Sequence, residues 1–468
     1  MSARRERAIW AGREIAERLL DGGDPGHTPV PLPEGVADTW IAFDQGVRDI
    51  HRWRYGTAYD GRHVEGLHVV ALCHPDGHVR EGALRAPDPV PELVAIRCTD
   101  WVPAVREQAR RVLHAALTAD PAGTLRRLTP LLLRLGRREH GAWALALLPE
   151  AMRGRPVQAE LRESADLPTR RFAARVALES GQFGVRELAR QAAAELDPPT
   201  ARMWADAALA AMAVDGPDDR AVDSLLGAHI PMVRASGVTA LRGAGRAAEA
   251  GEYLTDCSGL VRACARWLVR QDGGDPYARC RELVADPGRV TPYAVTGFAE
   301  CARREDGPLL RALLGHPAGA VRAAAVAGLR LLDADDEQLL RSLLDDPWPG
   351  VAREVSRSLR ATAGPLPADW LTARVAPDRP THTRRAAFHL LRAQGGVAAL
   401  RAALSLLDVR DPGLRELAEG TVRAWEWQRT LLARQAEAAE LGALLERSAY
   451  LFDDYQLALR YDRLGLGT

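Results

Sequence analysis

The sequence predicts an all-α chain: an α-solenoid, coiled as a right-handed superhelix, of about twelve helical pairs closed by helical caps. Three observations carry this expectation. The 468 residues are 47% hydrophobic but only 5% aromatic, with Ala, Leu and Arg dominant. Such a chain is rich in helix formers and poor in the residues strands prefer. One short pattern recurs along it: Asp or His, often Pro, a turn, then Val-Arg-x-x-small-x-x-x-Leu. The recurrence keeps a period of about 31 residues, enough for two short helices and two turns.

Taken in order, residues 1–20 form a charged amphipathic helix without the apolar stretch of a signal peptide. A Gly/Pro linker follows at 21–35, then a helix over 39–55 and a loop over 56–62. Together these make an N-terminal cap, 1–63. The repeats occupy 64–430, beginning with a helix over 64–73. Residues 431–468 make a C-terminal cap within an aromatic-rich stretch holding Trp425, Trp427, Tyr450, Phe452, Tyr455 and Tyr461. That cap is acidic: 436–454 carries five acids and one arginine. No apolar run approaches the roughly 20 residues needed to span a bilayer. Cysteines 73, 98, 257, 264, 280 and 301 are scattered without a CxxC pair. They read as buried residues of a reducing compartment, so a cytoplasmic location is expected.

The repeats are clearest in HPAGAVRAAAVAGLRLL (316–332). The same frame runs through HPDGHVREGAL (74–84), DWVPAVREQARRVL (100–113), HIPMVRASGVTAL (229–241), DPWPGVAREVSRSL (346–359) and DPGLRELAEGTV (411–422). The Arg slot falls at Arg80, Arg106, Arg138, Arg171, Arg202, Arg234, Arg262, Arg322, Arg384 and Arg415, with Pro292 and Ala352 in the remaining places. Val105, Ala109 and Leu113, four residues apart, share one helical face, and the small middle residue admits a neighbouring helix. Asp or His ahead of the helix is expected to supply its N-cap, and the following Pro suits the first helical turn.

These motifs resemble HEAT repeats, in the short bacterial form also seen in the phycobilin-lyase-like HEAT group. The resemblance covers about residues 64–430 and implies an armadillo-like solenoid, a fold that carries many unrelated activities. It also implies a ladder between the motif acid and arginine of successive repeats. Arg80, Arg106, Arg262, Arg322, Asp100 and Asp256 are its expected members.

Positive and negative side chains balance at 62 each, and every cation is arginine. A wholesale nucleic-acid or membrane-surface binder usually carries a basic excess. An Arg-only complement without Asn is what a GC-rich genome produces, so arginine abundance alone is no sign of phosphate binding. Charge is uneven along the chain, with eight arginines against three acids over 101–140. A second arginine row stands eight residues after the slot: Arg242, Arg270, Arg330, Arg360, Arg392 and Arg423, interrupted by Glu300. The resemblance implies that this row lines the concave surface, with Trp204, Trp267, Tyr293 and Phe388 as possible aromatic contacts. Cations in the last turn of a helix also offset its dipole, so capping and partner recognition both fit the row.

His63, His68, Cys73, His74 and His78 are the closest approach to a metal-ligand spacing. His74 shares the turn slot of His316, and no metal or other cofactor is expected. No nucleophile elbow, P-loop, dinucleotide fingerprint or HExxH is present, so no catalytic residue is nominated. The expected function is non-enzymatic: a protein-binding scaffold holding an acidic peptide or protein on the arginine-lined face. Nucleic-acid binding is the second reading, because some alkylpurine DNA glycosylases built of HEAT-like repeats are similar in their basic concave face. A lyase-type HEAT enzyme is the third.

Overall fold

In a computed structural model of the chain, the Val-Arg frame folds as its periodicity requires. Val321, Ala325 and Leu329 line the buried face of helix Gly319–Leu331, as Val105, Ala109 and Leu113 do for Pro103–Ala119. The structure describes residues 3–20, 37–53, 68–154, 156–286, 288, 290–425 and 435–466. Every regular element among the described residues is helical. No described helix is long and apolar enough to cross a membrane. The expected linker 21–35, the loop 56–62, His63 and Trp427 lie outside the described residues.

The chain divides into two units, Met1–Ala240 and Leu241–Thr468. In the first, helix Ala37–Trp53 packs on Pro91–Arg97 and Pro121–Leu135 as well as on Ala3–Leu20. Further along, Val185–Ala194 packs on Asp219–Leu226, and Pro198–Asp215 on Pro231–Ala240. In the second unit, helices Pro292–Ala299, Gly319–Leu331, Pro349–Leu359 and Thr381–Gln394 lie side by side, each against the next. Shorter partners, Glu337–Leu343 and Ala368–Val375, pack against Pro349–Leu359 and Thr381–Gln394 respectively. Helix Gln435–Arg447 packs on Gly396–Ser405.

Between helices, arginine does the joining. Nη1 of Arg322 donates to the carbonyls of His316 and Pro317 at 2.8 and 3.1 Å, closing the turn that opens its own helix. Its Nε and Nη2 reach the Asp346 carboxylate of the following turn at 2.8 and 2.7 Å. Asp346 is not the N-cap expected of it: the caps after Asp100, His316 and Asp346 are Val102, Ala318 and Trp348, and Asp346 shapes the turn by accepting the Trp348 amide at 2.8 Å. Arg80 repeats the arrangement on His74, Pro75 and Asp100. Arg106, Arg234 and Arg262 also hold carbonyls five or six residues back. Arg262 then turns to Glu300, with Nε at 3.0 Å.

The expected register needs adjustment at three slots, Arg138, Arg171 and Arg202; at the last the buried positions are Thr200, Trp204 and Ala208, one residue earlier than the frame. Arg138 lies in the turn before helix Ala142–Met152, whose buried face is Ala144, Leu148 and Met152. In the two Thr-Arg-Arg helices, Thr169 and Thr383 take the buried position. The second arginine of each pair then reaches the following acid: Arg171 on Asp197 and Arg385 on Asp411, at 2.7 and 2.8 Å. Arg384 instead donates to the Val375 carbonyl at 2.9 Å.

Gly12 and Gly46 face each other's helices: a Cβ on Gly46 would run into the Ile9 carbonyl, and one on Gly12 into that of Phe43. Gly→Ala inside a helix ordinarily stabilises. Here Gly46→Ala lowers stability by about 1–3 kcal/mol in thermal or urea unfolding. Gly82→Ala, with open space around it, leaves stability unchanged or slightly raised.

The ladder predicts a pH signature. Burial works to raise the Asp346 pKa, but the Arg322 hydrogen bonds, the Trp348 amide and nearby positive charge outweigh it, holding the carboxyl below its ordinary value. Asp197 is lowered chiefly by Arg171. A depressed folded pKa contributes stability above the unfolded value of about 3.9, lost as pH falls through the folded pKa. Arg322→Gln therefore costs about 1–3 kcal/mol near neutrality. Its deficit relative to wild type shrinks as urea titrations move from about pH 6 to below about pH 3.

Candidate partner-binding face

All six arginines of the second row belong to the unit Leu241–Thr468, and their surroundings separate them into two groups. Arg330 is committed: it donates to the Glu354 carboxylate at 2.9 Å and to the Glu354 carbonyl and Ser358 hydroxyl, both at 3.2 Å. Arg423 pairs with Glu419 one turn earlier at 3.0 Å. Arg242 lies 5.7 Å from the Trp267 ring centroid. Arg270, Arg360 and Arg392 are exposed and make no hydrogen bond or ion pair within the described residues.

The interruption at Glu300 has a structural use. Its carboxylate takes Arg262 and Arg266 of helix Gly259–Gln271, and these pairs hold its pKa down against the opposing effect of burial. Of the four candidate aromatics, Trp204 and Phe388 are fully buried packing residues. Trp204 meets Phe183 edge-on at 5.5 Å. Trp267 and Tyr293 are about half exposed. Burial therefore removes Trp204 and Phe388 from any surface contact.

Arg360 and Arg392 lead to a cluster that the row does not anticipate. On Thr381–Gln394, residues 385, 389 and 392 follow a helical stripe, and on Pro349–Leu359 and its C-terminal residue so do 353, 357 and 360. Burial, followed by the positive charges of Arg392, Arg360 and Arg385, lowers the His389 pKa. Its imidazole thus stands neutral at pH 7 among three guanidinium groups. Glu354, itself buried, accepts Arg330, Arg353 and Arg357, while Asp411 takes Arg385. Arg330 of helix Gly319–Leu331 and the five arginines 353, 357, 360, 385 and 392 therefore meet two carboxylates, and the surplus falls on Arg360 and Arg392. Spacing of three and four residues between arginines is the sequence signal for Arg353 and Arg357 with Arg360, and Arg385 stands seven residues, two turns, before Arg392. His389 has no such signal, since its setting depends on both helices.

Of the expected ladder residues, Arg80 reaches Asp100 and Arg322 reaches Asp346 in the following turn, whereas Arg106 and Arg262 hold the carbonyls of Asp100 and Asp256 in their own turns and Arg262 pairs with Glu300. Of the histidine cluster near residue 74, Cys73 is buried with its thiol pKa raised by burial and by Asp44. His74 uses Nδ1 to accept the Asp76 amide at 3.0 Å. No three metal-ligating side chains converge among the described residues. Comparison with known proteins adds no family: no protein-family model matches the chain, and no curated protein is similar to it.

Proposed function

We propose that the chain is a HEAT-like solenoid, right-handed in its coiling, that acts as a non-enzymatic scaffold. Its partner is an acidic peptide or protein segment. The binding face is built on helices Pro349–Leu359 and Thr381–Gln394. The carrying observation is the pair of unpartnered arginines, Arg360 and Arg392, flanking His389 where cations outnumber carboxylates. Side-by-side helices with the Val-Arg frame, joined by arginine from one turn to the next, support the repeat reading. An exposed guanidinium offers a fork of donors that matches a carboxylate. Glu354, Asp411 and Glu419 interrupt the positive charge, which suits discrete acidic side chains better than a continuous phosphate backbone.

Fluorescence polarisation with a labelled poly-Glu peptide, a DNA duplex and a DNA single strand tests this reading. The peptide is expected to bind, with binding weakened at least about tenfold by Arg360→Glu/Arg392→Glu and with helicity unchanged. Tighter, steeply salt-dependent binding of either DNA would favour a nucleic-acid partner instead. Absence of peptide binding at low salt would remove the proposal.

The His389 environment adds a pH dependence. A bound carboxylate favours imidazolium, raising a pKa that the surrounding arginines and burial depress. As pH falls through the ordinary imidazole value of about 6.5, the peptide affinity of the wild type therefore gains on that of His389→Gln, as polarisation titrations of both proteins on either side of that pH would record.

A further inference from the structure

The unit Met1–Ala240 contains a polar cavity of about 310 Å³ that plays no part in the binding face above. Three segments far apart in sequence wall it. Helix Ala37–Trp53 brings Asp44 and Arg48; the end of Pro91–Arg97 and its turn bring Arg97, Asp100 and Trp101; the turn after Pro121–Leu135 brings Arg138. A volume near 300 Å³ lies at the small end of ligand sites.

Within this cavity every carboxylate is already engaged. Asp44 accepts Arg48 at 3.2 Å and also Arg97, with the buried Cys73 thiol hydrogen-bonded to it. Asp100 accepts Arg80 at 2.7 Å, Arg97 at 3.2 Å and the Val102 amide at 3.0 Å. Asp49 accepts Arg13 at 3.0 Å. Five guanidinium groups, those of Arg13, Arg48, Arg80, Arg97 and Arg138, thus meet three carboxylates.

Arg138 makes no hydrogen bond or ion pair among the described residues, although its guanidinium lies in the fields of Asp44 and Arg48. Arg97 is 2% exposed, and its Nε–H, like those of Arg13 and Arg80, is buried with no acceptor among the described residues. A buried donor without a partner costs free energy and calls for an explanation. Gln45 and Thr99 add neutral polar groups to the lining, and Ile41 and Ile96 add apolar ones.

We infer that this cavity is a binding site for a small organic carboxylate, with Arg138 as the principal anion contact and Arg48 beside it. A guanidinium fork matches a carboxylate bidentately. A single unpartnered cation suits a monoanionic group. Asp44, Asp49 and Asp100 would repel the second charge of a phosphate. The mixed apolar and amide lining suits the remainder of a small ligand.

Saturation-transfer NMR and calorimetry on the full chain, at fixed ionic strength, test the assignment with acetate, propionate, succinate, benzoate and inorganic phosphate. At least one carboxylate is expected to bind with a dissociation constant below about 10 mM, more tightly than phosphate. Arg138→Gln, a change in an exposed turn, weakens that binding at least about tenfold. Arg137→Gln in the same turn leaves it unchanged. The inference is overturned if none of the carboxylates binds by about 10 mM, if Arg138→Gln binds as tightly as wild type, or if phosphate is preferred.

Discussion

A guanidinium that serves two turns at once organises much of the described structure. On Arg322, one nitrogen closes the turn of its own helix while the other two hold the carboxylate that opens the next. The His316 and Pro317 carbonyls precede Ala318, the first whose carbonyl accepts a helical N–H, so the guanidinium supplies a donor that the helix does not. The acid is therefore bound from both sides, by the preceding arginine and by the amide of its own turn. This explains why the slot accepts either Asp or His. The place before His316 is Pro292, which sends no cation forward. His316 needs only to shape its turn, which it does by accepting the Ala318 amide at Nδ1. Asp346 and Asp100 follow helices that do send an arginine, and there a carboxylate is required.

That requirement gives the neutral overall charge a structural meaning. Buried or half-buried guanidinium groups need carboxylates, and unpaired charge is expelled toward the surface. Arg80 is fully buried against a fully buried Asp100, and Glu354 gathers Arg330, Arg353 and Arg357. Against this pairing, location separates the cations left without carboxylates. Exposed arginines such as Arg137, Arg175, Arg220 and Arg270 also have no carboxylate partner among the described residues. Arg360 and Arg392 differ from these in flanking the half-buried His389, and Arg138 in lining a cavity walled by paired charges.

Much of the local structure was legible in the residues. The frame Val105, Ala109 and Leu113, the Asp or His at each turn and the proline at helix starts predict the helices and their buried faces. What escaped was set by side-chain direction. Arg171 and Arg385 reach forward because threonine occupies the buried place before them, a one-residue shift the repeating pattern does not display. Glu300 reads as a gap in an arginine row, yet it is the partner of Arg262 and Arg266. Trp204 and Phe388 read equally well as packing or contact residues until their burial is known. The cavity was beyond sequence reasoning, since Asp44, Asp100 and Arg138 share no motif and meet only after three segments pack.

The exclusive use of arginine fits the same physics, whatever genomic bias supplied it. A lysine ammonium is a compact point charge on a flexible stem, whereas the guanidinium presents donors in a fixed planar fork. The Arg80 and Arg322 clamps need one edge toward two carbonyls and another toward a carboxylate, which that plane satisfies in a single rotamer. Lysine could hold the carbonyls or the acid, but its one nitrogen would have to lie within reach of both. A supply of arginine imposed by codon usage would then relax the competition between the residues, while the clamp geometry retains arginine at these slots. Exposed arginines such as Arg202 on Asp206 face no such constraint. Lysine would serve at those sites and fail at the clamps, so composition and architecture coincide without one being the cause of the other.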